Sequence, residues 1–175
     1  MHVVTFPSRC VLKAAVPFYL LVLLVPFIAL AQPLAVVKRV VDGDTLLLEN
    51  GKRVRLIGVD TPESVRPNTP VQYFAKEASA FTRRMAEGKR VRLEREWPDR
   101  DKYGRDLAYA YLEDGTFLNA EIIKQGYGFA YTRFPFKYLE DFRRYERQAR
   151  EQRRGLWADP TRVKPSASAA AKRSR

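Results

Sequence analysis

The dipeptide Asn50-Gly51 is the feature that most restricts how this chain can fold. Both residues tolerate the positive φ of a tight hairpin turn, and Asn-Gly between apolar runs is the strongest short-range hairpin signal. On one side lies Thr45 to Leu48, on the other Arg53 to Val59. In the second run Arg53 and Arg55 alternate with Val54 and Leu56, the two-residue period of a strand with one polar and one apolar face. Before the hairpin, Leu34 to Val41 is β-branched and apolar, and Asp42-Gly43-Asp44 turns it into the next strand. The first third of the chain reads as a β-meander.

The remainder alternates in type. Residues 71–87 are predicted helical, with Phe74, Ala78, Phe81 and Met85 at helical spacing and Gly88 as the stop. Lys89 to Arg95 alternates again as a strand, followed by a polar loop from Trp97 to Gly104 and a strand from Leu107 to Leu112. A short helix follows from Leu118 to Gln125. A longer, charge-rich helix runs from Tyr138 to Arg154, with Leu139, Phe142, Tyr145 and Ala149 as its apolar stripe. Five short strands with three helices predict an α+β fold that is mainly β: an OB-type, five-stranded Greek-key barrel with helical decoration.

The chain has 175 residues, enough for one domain with a proper core, and a formal charge of +12. Such a charge favours polyanionic partners, although many soluble proteins are merely basic. Residues 1–13 carry Arg9 and Lys13 and no acid, Ala14 to Leu30 is wholly apolar, and Ala29-Leu30-Ala31 is a small-x-small pattern. This predicts a cleaved export signal over residues 1–31, with an N-terminal membrane anchor as the alternative. Cleavage removes two cations, which takes the charge from +12 to +10. It also removes Cys10 and His2, the sole cysteine and histidine. The mature chain, residues 32–158 plus a basic tail over 159–175 expected to be disordered, then excludes Ser-His-Asp and Cys-His catalysis and the usual zinc sites. Acid–base chemistry falls to Asp, Glu, Tyr or Lys, and any metal is a hard cation that takes oxygen.

Two acidic clusters acquire meaning together. Asp42-Gly43-Asp44 taken alone is an ordinary turn. The hairpin, however, brings Asp44, at the start of one strand, to the same end of the sheet as Asp60, at the end of its partner. Two neighbouring carboxylates repel unless a cation or a proton stands between them. A divalent ion satisfies both, and the carbonyl of Thr61, directed by Pro62, offers a third oxygen. Arg55 and Arg105 each read singly as solvated charge. Beside a metal, two guanidinium forks clamp a phosphodiester and stabilise the charge of its transition state. Glu63 then falls where it can orient or deprotonate the attacking water.

Val41-Asp42-Gly43-Asp44-Thr45, the run from Arg55 to Glu63, and Asp101-Lys102-Tyr103-Gly104-Arg105 resemble, in order and spacing, the staphylococcal nuclease (thermonuclease) family. The resemblance covers residues 36–157. It implies an OB-fold barrel and a Ca²⁺-dependent nuclease, acting as a monomer on single- and double-stranded DNA and on RNA and leaving 3′-phosphate and 5′-hydroxyl ends. By position it implies Asp44, Asp60 and the Thr61 carbonyl as calcium ligands, with Asp42 as a carboxylate close behind them. It implies Arg55, Glu63 and Arg105 as the catalytic trio, and Lys102, Tyr103 and Tyr131 as the lining of a nucleotide pocket. The chain departs from the family pattern at Arg133, where a second pocket tyrosine is expected, and in residues 64–70. A noncatalytic nucleic-acid-binding module need not retain both carboxylates, both arginines and Glu63. A basic cell-wall or adhesion protein leaves that constellation unexplained.

Overall fold

The computed structural model describes His2 and residues 33–63 and 71–163. The chain divides into two units, Met1–Ala31 and Gln32–Arg175. The expected leader, the 64–70 segment and the end of the basic tail lie outside the described residues, apart from His2.

Five strands close the barrel: β1 (Leu34–Asp42), β2 (Thr45–Leu48), β3 (Arg53–Leu56), β5 (Arg90–Arg100) and β6 (Asp106–Leu112). The strands run around it in the order β1-β2-β3-β6-β5, and β5 returns to β1. All neighbours are antiparallel except β3 and β6, which run parallel. This is the five-stranded, OB-like α+β barrel with three helices that the sequence predicts. The alternation explains the closure. Val37, Leu46, Leu48, Val54, Leu56, Val91, Ala108, Ala110 and Leu112 all point inward and are buried. Small Ala108 and Ala110 share this core with bulkier Leu and Val side chains, as in a filled small barrel.

Three helices cover the outside: α1 (Ala75–Ala86), α2 (Leu118–Lys124) and α3 (Leu139–Glu151). Helix α1 packs on β1, and α2 sits between α1, β6 and α3. Phe142, fully buried, anchors α3 among Phe117, Phe136 and Tyr138. A smaller cluster of Phe129, Ala149, Leu156 and Trp157 closes the far side, with Phe74 and Val163 packed on it.

The structure departs from the sequence reading in four places. The strand expected from Arg53 to Val59 breaks at Ile57-Gly58. Gly58 has φ 73°, and a Cβ there would lie 2.6 Å from the Phe136 ring, so the bend needs glycine both for its backbone and for the space. Beyond the bend, β4 (Val59–Asp60) leaves the barrel and pairs with a strand the sequence reading lacks, β7 (Phe129–Ala130). The first helix begins at Ala75 rather than residue 71, because Phe74 takes a left-handed φ of 66° to reach the second cluster. Strand β5 continues past the expected end at Arg95. A bulge intervenes, Arg100 pairs with Asp106, and Arg95 and Arg100 each reach the Asp106 carboxylate at 3.2 Å. Residues 159–163, the described start of the expected tail, make contacts of their own. Thr161 and Arg162 donate backbone bonds to Asp159, Val163 packs on the second cluster, and Arg162 lies 4.3 Å from the Tyr73 ring centroid.

Candidate active site

The Asp42-Gly43-Asp44 turn is held from below by α1. The Ser79 hydroxyl donates to Asp42 Oδ1 at 3.0 Å, the Gly43 amide to the same oxygen at 2.9 Å, and the Thr82 hydroxyl to the Gly43 carbonyl at 2.7 Å. All of these groups are buried, and unmade bonds there cost heavily, so the turn is fixed in place. Asp42, expected beside the metal ligands, thus directs one oxygen into the turn. A Cβ on Gly43 would come within 2.7 Å of the Thr61 side chain, so only glycine lets the two loops close on each other.

That closure makes Asp44 the hub. Its Oδ2 accepts the Thr61 amide and the Thr61 hydroxyl, both at 3.0 Å, and its Oδ1 accepts the Thr45 hydroxyl at 3.0 Å. Arg55, opposite Thr45 in the β2–β3 register, brings Nη1 to 2.9 Å from Asp44 Oδ2 and Nη2 to 3.7 Å from Asp60 Oδ1. Asp44 and Asp60 therefore meet across one positive group, Arg55, although Asp60 lies beyond the Gly58 bend in β4 rather than on the hairpin strand itself. Asp60 is positioned by β4–β7 pairing with Phe129. The bend before it is held by Asn119, fully buried, whose Nδ2 donates to the Ile57 carbonyl at 2.9 Å while its Oδ1 accepts the Ala110 amide at 2.9 Å.

Arg105 approaches from the β5–β6 connection. Asp101 organises this turn: its Oδ1 accepts the amides of Tyr103 at 2.9 Å and Arg105 at 3.0 Å, and its Oδ2 accepts Arg105 Nε at 2.6 Å. Burial pulls the Asp101 carboxyl upward, but the Arg105 amide and guanidinium and the Tyr103 amide outweigh it and hold it below the ordinary 3.8. The free end of the fork, Nη1, reaches the Thr45 hydroxyl at 3.5 Å. Thr45 so joins the two halves, since the hydroxyl that faces Arg105 also donates to Asp44. Tyr103 stands exposed beside this turn, with Lys102 Nζ 5.0 Å and Arg105 Cζ 5.5 Å from its ring centroid.

Two predicted residues are placed by main-chain bonds. Glu63 follows Thr61 and Pro62, and its main chain is tied to Gln72 by two bonds, the Glu63 amide to Gln72 Oε1 at 3.1 Å and the Gln72 amide to the Glu63 carbonyl at 3.2 Å. Tyr131 sits just past β7, its amide on the Gly58 carbonyl at 2.9 Å. The supporting residues Thr45, Ser79, Thr82, Asp101 and Asn119 are absent from the sequence reading of the site. Ser79 and Thr82 had a signal, because they sit three apart on α1 beside its apolar stripe, where a polar residue must find a buried partner.

Among the described residues no three carboxylates, imidazoles or thiols gather in one place. The donors are two carboxylates with amide and hydroxyl neighbours, and they already share one cation, the Arg55 guanidinium. Hard oxygens that converge on a positive charge suit a divalent ion of the Ca²⁺ or Mg²⁺ kind. With two arginines on the same cluster, the arrangement can bind a phosphate diester and polarise it.

The sequence is similar to known proteins. The family model described as Staphylococcal nuclease homologue matches residues 53–159. The thermonuclease of Staphylococcus hyicus is 43% identical over 125 residues, 69% of this chain and 73% of that protein. The thermonuclease of Staphylococcus intermedius is 54% identical over 93 residues, 51% of this chain and 55% of that protein. Endonuclease YncB of Bacillus subtilis is 38% identical over 126 residues, 69% of this chain and 59% of that protein. The barrel, the convergence of Asp44, Asp60, Arg55 and Arg105, and these matches agree: the chain belongs to the staphylococcal nuclease family.

Proposed function

We propose that the protein is a metal-dependent nuclease that hydrolyses phosphodiester bonds in DNA, single- or double-stranded, and in RNA, with Ca²⁺ as its ion. The observation that carries this reading is the Thr45 link, through which the Arg105 fork and the Asp44–Arg55–Asp60 cluster face one another without histidine or cysteine. Family membership and the thermonuclease and endonuclease relatives support it.

In this reading Asp44, Asp60 and the Thr61 carbonyl would hold the ion, which when bound would supply Lewis-acid stabilisation of the phosphoryl oxygens and acidify a nearby water. Arg55 and Arg105 hold the nonbridging oxygens and gain strength as charge builds up on them. Glu63 orients a water and takes its proton as the oxygen attacks phosphorus. The P–O5′ bond breaks, the 5′ oxygen leaves as a hydroxyl after protonation from solvent, and the phosphate stays on the 3′ end. Lys102, Tyr103 and Tyr131 line the nucleotide site, where bases stack on aromatic faces and cations meet the backbone. The protein works as a monomer, exported through a leader spanning residues 1–31. The basic, wholly apolar and small-x-small runs at the N-terminus support export.

The test is hydrolysis of single-stranded DNA and RNA by the purified mature chain, with added Ca²⁺ and with a Ca²⁺-selective chelator, followed by end-group analysis. Cleavage in Ca²⁺ only, with 3′-phosphate products, is expected. Full activity in the chelator overturns the calcium assignment, and binding without cleavage under all divalent ions overturns the enzyme.

A further inference from the structure

Glu63 is joined to the carboxylate cluster by a short path. The Thr61 amide is fixed on Asp44 Oδ2 at 3.0 Å, and only Pro62, whose ring locks its own φ, separates Thr61 from Glu63. On its other side Glu63 meets Gln72. The Glu63 amide donates to Gln72 Oε1 at 3.1 Å, and the Gln72 amide donates to the Glu63 carbonyl at 3.2 Å. Gln72 thus brackets both main-chain polar groups of Glu63. It does so as a residue on a neighbouring strand would, with a side-chain oxygen in place of a backbone carbonyl.

Gln72 itself stands on a fixed base. Its carbonyl accepts the Ala75 amide at 3.2 Å, at the start of α1. The ring of the next residue, Tyr73, is covered by the Arg162 guanidinium, 4.3 Å from its centroid. Phe74 then takes its left-handed φ of 66° and packs its ring 5.5 Å from that of Tyr127 and on the cluster of Phe129, Ala149, Leu156 and Trp157. A left-handed backbone at an aromatic residue persists only where its surroundings fix it, and here the packed ring does so. Helix α1 is in turn held under the Asp42–Asp44 turn by Ser79 and Thr82. One helix therefore supports the Asp44 turn and presents Gln72 to Glu63.

Stability does not account for the two bonds. Gln72 is exposed and Glu63 half-buried, so water replaces either bond at little cost. What the bonds supply is position, because they fix the Glu63 main chain and with it the direction of the side chain. A group that takes a proton from an attacking water works only within a narrow geometry.

We propose that Gln72 is a positioning residue for Glu63: its amide and its side-chain oxygen hold the Glu63 main chain where the carboxylate can serve the attacking water. The proposal rests on the reading of Glu63 as the group that handles that water.

The test compares steady-state cleavage of a single-stranded oligonucleotide in Ca²⁺ by Gln72→Met, which keeps the shape of the side chain without its acceptor, and by Gln72→Glu, which keeps an acceptor oxygen. Gln72→Met is expected to lower kcat about tenfold with KM and melting temperature nearly unchanged, and Gln72→Glu to restore most of that loss. Combined with Glu63→Gln, Gln72→Met should cause no further loss, since it acts through the carboxylate already removed. A wild-type kcat for Gln72→Met overturns the proposal. So does an equal loss on the Glu63→Gln background, or a Gln72→Glu variant as slow as Gln72→Met. If the wild type cleaves nothing, the nuclease reading fails alone, and the ¹⁵N order parameter of the Glu63 amide decides the positioning. A fall in Gln72→Met supports it, and a wild-type value overturns it.

Discussion

Arg55 and Arg105 meet the same carboxylate–hydroxyl cluster from opposite sides, and they are held by different kinds of structure. Arg55 lies in a strand, with its side chain only 16% exposed, between Asp44 and Asp60. Its position follows from the β2–β3 register and from loops packed so tightly that Gly43 has no room for a Cβ. Arg105 lies at the end of a turn, more exposed, and one carboxylate four residues away carries it. The difference teaches that one half of the site is part of the fold and the other is attached to it. On the proposed mechanism, disturbing Arg55 should affect stability and chemistry together, whereas disturbing Arg105 should reach the chemistry alone.

That contrast can be broken most forcefully at Arg55. Arg55→Ala should reduce kcat by ~10²-fold or more, because a transition-state donor is lost. It should also destabilise the fold by about 1–3 kcal/mol in urea titrations in chelator, because two neighbouring carboxylates lose their common donor. Arg105→Ala should match it in kcat, falling by ~10²–10³-fold, with melting temperature and KM nearly unchanged. A rise in KM alone would make Arg105 a binding residue. Asp101→Asn keeps the turn's shape but weakens the pin on Arg105, and about a tenfold loss in kcat is expected with the fold intact.

The Asp101 substitution also carries a pH signature. The folded-state pKa lies below the ordinary 3.8, so the ionised carboxylate stabilises the turn above that value. The contribution disappears as pH falls through the lower folded value. Acid titration of the Arg105 Nε–H resonance should therefore show the pin surviving below pH 3.8, and Asp101→Asn should abolish that transition. The smallest expected effect is at the bridge. Thr45→Val removes the hydroxyl between Asp44 and Arg105 and should lower kcat by only about threefold, since Asp44 keeps Arg55 and the Thr61 amide and Arg105 keeps Asp101. A loss as large as that of Arg105→Ala would mean that Thr45 does more than join the halves.

The two halves also differ in how far the sequence alone revealed them. The hairpin at Asn50-Gly51 is local, and it pairs Thr45, next to Asp44, with Arg55, while Asp60 needs the Gly58 bend and β7 as well. What lay hidden depends on distant partners. Strand β7 is two residues long and exists because β4 pairs with it. The break at Gly58 is held by Asn119, 62 positions from the Ile57 carbonyl it binds, and is filled by Phe136. Ser79 and Thr82 look like ordinary helix residues until α1 docks under the Asp42–Asp44 turn. On the Arg105 side the motif was visible, but the part played by the Asp101 carboxylate was not, because it depends on which of several nearby amides one side chain reaches.

On the proposed mechanism both arginines serve a hydrolysis whose water is handled by Glu63. Single-turnover cleavage of one single-stranded oligonucleotide by wild type and Glu63→Gln, in saturating Ca²⁺ and with substrate binding measured alongside, tests it most directly. The account predicts a loss of at least ~10²-fold in the chemical step with binding retained. Turnover close to wild type by Glu63→Gln would contradict it.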